Sequence, residues 1–244
     1  MNLAELKNEL RKEYKYKIEA HAHTLPASKC SEVTVEEVIN AYSELGYDGI
    51  VIANHFIYDY NYMKDVPVEE GIQKYLDDYR EAVRLGEEKN LKVFLGAEIR
   101  FTENENDYLI YGVDEKMLPE IYNYLPDGLE NFRRNYPMPD SVFLQAHPFR
   151  NGITEVDPDL LDGYETLNMH PGQSGRLAVA TMHAKVSGKD LVIAGSDFHF
   201  LRGRHLCVSA ILTRKMPKDS FEFAEILKSR DYLLEIGNQA VIFT

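Results

Sequence analysis

Seven side chains of metal-ligating type follow short apolar runs: His21 and His23 in EAHAHT, His55 in GIVIANH, Glu98 in FLGAE, His147 in FLQAH, and Asp197 and His199 in IAGSDFH. Mixed imidazole and carboxylate donors suit Zn²⁺, Mn²⁺ or Fe²⁺, whereas Mg²⁺ and Ca²⁺ prefer oxygen. In an extended H-x-H the side chains at i and i+2 point to one side, so His21 and His23 can reach a single ion. The D-x-H pair, Asp197 and His199, can do the same from another direction. Glu98 has two oxygens with which to bridge two ions. His170, in the loop after a strand, and Asn168 beside it are candidates to line the same pocket. His205 begins a late strand, and His183 falls in mid-helix, where a structural role suffices.

The elements that would position these residues read as alternating strands and helices. Strands are expected near Tyr16–Ala20, Gly49–Ala53, Lys92–Ala97, Tyr108–Val113, Ser141–Ala146, Gly163–Leu167 and Asp190–Ala194, with a further one near Leu206–Leu212. Runs such as GIVIA, KVFLGA and DLVIAG are apolar without alternation, which fits strands buried on both faces of a parallel sheet. Thr34 is placed to N-cap a helix with Val35, Val38, Ile39, Tyr42 and Leu45 on its apolar face and Gly46 beyond its end. Further helices are expected over Val68–Glu88 and Ser174–Val186. Strand–helix units in this number fit an α/β barrel better than an open sheet, and a parallel barrel gathers its active-site residues at the C-terminal strand ends. The link between Lys92–Ala97 and Tyr108–Val113 is too short for a helix, so the repeat is irregular there. Without a linker or an internal repeat, residues 1–244 read as one domain: an N-terminal helix over 1–14, a barrel core over 15–200, and a strand and helix over 201–244. The segments Phe56–Glu70 and Tyr111–Asp140 are expected to wall the pocket, with Tyr58, Tyr60 and Tyr62 packing there or stacking on a ring.

Composition narrows the partners. With 27 Lys+Arg against 40 Asp+Glu the net charge is −13, which disfavours stable binding to nucleic acid or anionic membranes. No apolar run is long enough for a transmembrane helix, and the charged N-terminus lacks the core of a secretory signal. Two cysteines, Cys30 and Cys207, fit a reduced, cytoplasmic protein rather than a disulfide scaffold.

The ordered set HAHT (21–24), ANH (53–55), GAE (96–98), AHP (146–148) and SDFH (196–199) resembles the polymerase and histidinol phosphatase (PHP) family of metal-dependent phosphoesterases across nearly the whole chain. The resemblance implies a distorted (β/α)7 barrel, TIM-barrel-like, with two or three divalent transition-metal ions at its C-terminal face. It implies that His21, His23, His55, Glu98, His147, Asp197 and His199 are the ligands, Glu98 bridging. His21, His23, Glu98, Asp197 and His199 would be the catalytic set. Three departures stand out: Asn54 replaces the family's Asp, and Ser28, Lys29 and Cys30 stand where many members carry another His or acid. No histidine lies between His55 and His147, so Asp107 is the best substitute. Cys30 could ligate as a thiolate or be a small buried residue.

The chemistry implied is hydrolysis of a small phosphorylated molecule, a monoester ahead of a diester, by a hydroxide that paired ions generate near neutral pH. Arg150, Arg202 and Arg204 would bind the phosphoryl oxygens, with Arg100 a weaker candidate, because a guanidinium fork matches phosphate. Two alternatives stand beside this reading. One is a metal-dependent amidohydrolase, which also carries H-x-H on its first strand, although that superfamily commonly ends on a lone Asp. The other is a metal-binding regulatory or structural module without turnover, for which Asn54 and the incomplete third-ion set speak.

Overall fold

The structure, a computed structural model, describes residues 2–201, 209–237 and 239–241. Helix α1 (Leu3–Glu13) begins in a capping box between Asn2 and Glu5 and leads to strand β1 (Tyr16–Ala22). Helix α2 (Val35–Glu44) is capped by Thr34 with Glu37 closing the box, as the sequence pattern predicts. It buries Val35, Val38, Ile39 and Tyr42. Strands β2 (Gly49–Ile52) and β3 (His55–Ile57) follow, then helix α3 (Val68–Lys89), which stops at left-handed Asn90. Next come β4 (Lys92–Leu95), β5 (Ala97–Arg100), β6 (Asp107–Tyr111), α4 (Leu118–Tyr124), α5 (Leu129–Asn135) and β7 (Val142–Gln145). The described chain closes with β8 (Gly163–Asn168), α6 (Leu177–Val186), β9 (Leu191–Gly195), β10 (Ser209–Thr213), α7 (Ser220–Ser229), β11 (Tyr232–Ile236) and β12 (Gln239–Val241).

These elements make a mixed α/β fold of two six-stranded sheets, ordered β12-β11-β10-β1-β2-β4 and β3-β5-β6-β7-β8-β9. Main-chain hydrogen bonds join the sheets at two places. The runs β2–β3 and β4–β5 pass from one sheet to the other, with Gly96 N–H donating to Ile52 O (3.0 Å) and Glu98 N–H to Asn54 O (3.1 Å). On the other side His23 N–H donates to Phe198 O (3.0 Å) and Phe198 N–H to His21 O (3.2 Å).

Strand periodicity divides the core. Ile50 and Ile52 of β2 pack with the apolar face of α2, while Val51 between them joins the larger cluster with Ala20, Leu95, Leu109 and Leu144. Contact is closest where β8 meets β9: a Cβ on Gly163 would lie 1.9 Å from Leu191 O, so only glycine fits there.

Several boundaries differ from the sequence reading. The run expected over Lys92–Ala97 breaks at Gly96 and continues as β5 to Arg100, and the expected strand after Ser141 starts at Val142. Strand β6 runs antiparallel to both neighbours, because the link after β5 is too short for a crossover. Segment Tyr111–Asp140 consequently leaves from the end of the sheet opposite Asp107. It folds into α4 and α5, which bury Leu118, Ile121, Leu129 and Phe132 in the core instead of simply walling a pocket. The C-terminal part adds β11 and β12 to the expected strand and helix. Of the strand expected at Leu206–Leu212, residues 206–208 lie outside the described residues, as do Arg202, Arg204, His205 and Cys207.

Candidate metal centre

The ends of the strands converge. His21 and His23, side by side on and just past β1, have Nε2 atoms 3.0 Å apart. Glu98, on β5, brings Oε1 to 3.4 Å from His21 Nε2 and Oε2 to 3.3 Å from His23 Nε2. Asp197 Oδ1 lies 3.4 Å from His23 Nε2 and 3.7 Å from His21 Nε2. His55 Nδ1 is 2.9 Å from Glu98 Oε2, and His147 Nε2 is 3.1 Å from Glu98 Oε1. Both oxygens of Glu98 therefore face imidazoles, in a side chain with no solvent exposure. His199 completes the group, its ring 4.3 Å from that of His23.

All seven predicted ligand residues thus meet in one place. His147 (φ 30°) and Asp197 (φ 49°) adopt left-handed backbone conformations, which cost non-glycine residues about 1–3 kcal/mol each and persist only where surrounding structure imposes them. Their side chains are turned inward by those turns.

Asp107 joins for a topological reason. Because β6 is antiparallel, its first residue lies opposite Arg100 at the end of β5, beside Glu98. Asp107 forms a group of closely spaced donor atoms with His55 and Glu98, and its Oδ2 lies 3.8 Å from His147 Nε2. Arg100 grips the same carboxylate through Nε (2.7 Å) and Nη2 (2.9 Å), so Arg100 is already engaged and departs from the phosphate-facing role considered for it.

Around these side chains stand residues that fix their rings. His21 Nδ1 lies 2.8 Å from Glu165 Oε1, and His23 Nδ1 lies 3.1 Å from Ser28 Oγ. With those nitrogens as donors, both Nε2 lone pairs turn toward the cluster. Ser28 in turn donates to Asn54 Oδ1 (2.9 Å), which also accepts from Thr24 N–H (2.7 Å). Asn54, standing where the resemblance implies Asp, supports His23 through a neutral relay. Cys30 is exposed rather than buried, with Sγ 3.0 Å from His199 Nε2. Burial works to raise its thiol, but hydrogen bonding to the His199 and His55 imidazoles outweighs that and brings it down to about 6.

Arg150 pairs with Asp197 Oδ2 and lies 3.4 Å from Asn168 Oδ1, placing a cation against the cluster. Asn168 donates to Glu165 Oε2 (2.9 Å) and Asp197 Oδ2 (3.3 Å) and accepts from His170 N–H (3.1 Å). Its polar atoms all serve the network. His170 forms a donor group with Asp197 and His199. His183 stays apart, against Tyr164 Oη (3.2 Å), in keeping with a structural role. Tyr58 stacks on Tyr122 with ring centroids 5.3 Å apart, and Asn61 ties its segment to Pro26 O (2.8 Å) and Ala27 O (2.7 Å).

The electrostatics follow from this crowding. Burial works against the charge on Glu98 and Asp197. Facing imidazoles nevertheless hold both carboxyls well below their usual range, His21 and His55 for Glu98 and His21 and His199 for Asp197. Burial likewise opposes the imidazolium forms, yet Glu165, Glu98 and Asp197 raise His21, Glu98 raises His55, and Asp197 raises His199 to about 10. His23 goes the other way, lowered by burial and by His199 and His55. His55 Nδ1 and Glu98 Oε2 lie 2.9 Å apart, yet neither buried atom makes a well-directed hydrogen bond. Lone pairs set this close without a donor between them are what a divalent cation satisfies, so the residues fit such an ion.

Glu165 and Glu19, both buried without exposure, escaped the sequence reading. The signal available was a charged residue inside an apolar strand, in GYETLN and in KIEAHA.

No family model matches the sequence, and no curated protein matches it. Among solved structures the chain is similar to a two-domain protein from Bacteroides vulgatus containing a predicted PHP-like metal-dependent phosphoesterase. The TM-score is 0.57 at 15% identity, over 91% of this chain and 64% of that one, less than two thirds of its length. A looser likeness, TM-score 0.46 at 17% identity, covers 77% of this chain and 89% of a Bifidobacterium adolescentis protein assigned by inference as a metal-dependent phosphoesterase. Another, TM-score 0.47 at 14% identity, covers 75% of this chain and 87% of an amidohydrolase from Chromobacterium violaceum. At these identities the likeness is one of fold.

Proposed function

We propose that this chain is a PHP-like metal-dependent phosphoesterase that hydrolyses a small phosphorylated substrate, a monoester first. The observation that carries the reading is the meeting of His21, His23, Glu98 and Asp197 from three separate strand ends, with donor atoms 3.0–3.7 Å apart. Residues 1–244 form a single domain, the two joined sheets making a distorted (β/α)7 barrel whose ligand-bearing strand ends form the active-site face.

Two or three divalent transition-metal ions, Zn, Mn or Fe, are the cofactors. His21, His23, His55, Glu98, His147, Asp197 and His199 would hold them with Asp107, and the closest-set donor groups are His21, His23 and Glu98, then His55, Glu98 and Asp107, then His23, His55 and His199. When bound, such ions supply positive charge to phosphoryl oxygens and lower the pKa of water toward neutrality. The chain's own residues do the rest. Glu165 and Ser28 orient His21 and His23, and Arg150 offers guanidinium donors to the phosphoryl oxygens beside Asp197. His170 faces the same group from the loop after β8, and Arg202 and Arg204 are further phosphate-binding residues. The expected setting is the cytoplasm, with no stable nucleic-acid or membrane partner, consistent with the net charge of −13.

The test is elemental analysis of protein purified without chelator, together with phosphate release from an aryl phosphate with added Mn²⁺ or Zn²⁺. Bound transition metal with turnover is expected, and His21→Ala or Glu98→Ala should abolish turnover while circular dichroism stays unchanged. Full activity in either folded variant would remove the site assignment. A metal-binding module without turnover draws support from one observation, the two-point grip of Arg100 on Asp107, which competes with an ion for that carboxylate. Bound metal with no phosphate, ester or amide hydrolysis would favour it.

A further inference from the structure

We infer that Glu165 is the positioning residue of the centre, a single carboxylate that fixes ligand residues from three parts of the fold. The inference rests on the proposed metal-dependent reading and deepens it. Glu165 sits on β8 and has no solvent exposure. Its Oε1 lies 2.8 Å from His21 Nδ1. Its Oε2 accepts from the main-chain N–H of His147 (3.0 Å) and from Asn168 Nδ2 (2.9 Å). Asn168 extends the chain of bonds to Asp197 Oδ2 (3.3 Å).

Each bond has a consequence for a ligand. An acceptor at Nδ1 keeps the proton of His21 on that nitrogen and leaves Nε2 free to face an ion. The bond to His147 N–H anchors the residue whose backbone stands at φ 30°, so it helps hold a conformation the residue disfavours by itself. The link through Asn168 sets the direction of Asp197, also left-handed at φ 49°.

Two features of the fold are shaped to admit this carboxylate. In β8 the register shifts between Glu165, opposite Ile193, and Leu167, opposite Ala194. In a regular strand, side chains three apart point to opposite faces, whereas the extra residue brings Glu165 and Asn168 to the same side. On the neighbouring strand, a Cβ on Gly195 would lie 2.2 Å from Glu165 Oε1 and 2.7 Å from His21 Cβ. The missing side chain of Gly195 is therefore the space in which the Glu165–His21 pair forms.

Glu165→Gln tests the assignment with almost no change of shape. Three donors need two acceptor oxygens, and the amide supplies one oxygen and adds a competing donor. Zn²⁺ affinity, measured by competition with a chromophoric chelator, should weaken by roughly 10- to 100-fold, the range seen when outer hydrogen bonds to metal-ligating histidines are removed. Gly195→Ala, pressing on the same oxygen, should weaken it in the same direction. The distinguishing readout is the proton on His21 Nδ1, followed by ¹H–¹⁵N imidazole NMR in the unmutated protein with and without Zn²⁺. A slowly exchanging downfield proton at Nδ1 is expected, displaced upfield in Glu165→Gln. An unprotonated Nδ1 in the unmutated protein, or Zn²⁺ affinity unchanged in the folded Glu165→Gln variant, overturns the inference. The NMR measurement needs no variant to fold. Weakened Zn²⁺ binding in a protein that hydrolyses no phosphate ester would sustain the role of Glu165 and sink the phosphoesterase reading alone.

Discussion

A histidine binds a divalent ion only through a ring nitrogen that carries no proton. At this centre, the partner of the other nitrogen decides which one that is. His21 and His23 show the device in two forms, a carboxylate behind one ring and a neutral hydroxyl behind the other. The carboxylates facing His21, His55 and His199 raise the affinity of these rings for protons, to about 10 for His199. An ion must displace those protons, so metal affinity is expected to rise with pH, by up to about tenfold per pH unit for each proton displaced. Isothermal titration with Mn²⁺ between about pH 6 and pH 8, in buffers of different protonation enthalpy, would count the protons released. A pH-independent affinity with no proton release would contradict the electrostatics described. The ligand types and their order were legible at this scale because H-x-H, D-x-H and the single Glu after an apolar run are local patterns. Glu165 was not, since its partners are 18 and 144 residues distant along the chain.

Strands and the few residues just past their ends carry the centre, and strand direction determines what reaches it. Parallel β7, β8 and β9 deliver their C-terminal ends, while antiparallel β6 delivers its first residue, Asp107. The join between β1 and the segment after β9 is tightened by Glu19, which accepts from His21 N–H (2.8 Å), Ser196 N–H (2.9 Å) and Tyr42 O–H (3.1 Å). Burial outweighs these bonds and raises its carboxyl from 4.5 to about 7. The folded state therefore binds this proton more tightly than the unfolded state, and the Glu19 contribution to stability declines as pH rises from about 4.5 through about 7. Urea unfolding of the metal-free protein across that window should show the decline, and Glu19→Gln should flatten it. An identical pH dependence in the variant would remove Glu19 as its source. Boundaries were misread where an element has no period of its own. The short helices α4 and α5 and the three-residue β3 and β12 are held by packing and pairing and carry weak sequence patterns.

At the scale of the whole molecule, an ion held by the buried acids and imidazoles would be coupled to the fold. Ligand binding to the folded state alone adds about 2.7 kcal/mol at a hundredfold excess over Kd, or roughly 5–10 °C in Tm for a chain of this size. Stripping the protein with a chelator should lower Tm by that order, and adding back Zn²⁺ or Mn²⁺ should restore it. No change on either treatment would argue against ions bound at this centre. The sequence by itself determined the α/β alternation, the Thr34 cap of α2, and which seven metal-ligating side chains end up together. Each of these is written in residues close together along the chain. Only the tertiary structure decided that Asp107 joins the cluster, that Arg100 is tied to it, that Cys30 stands exposed beside His199, and that Glu165 organises His21, His147 and Asp197. Those relations depend on strand direction, on a register shift in β8 and on the space left at Gly195. They are properties of neighbours brought together by the two sheets, and no spacing along the chain encodes them.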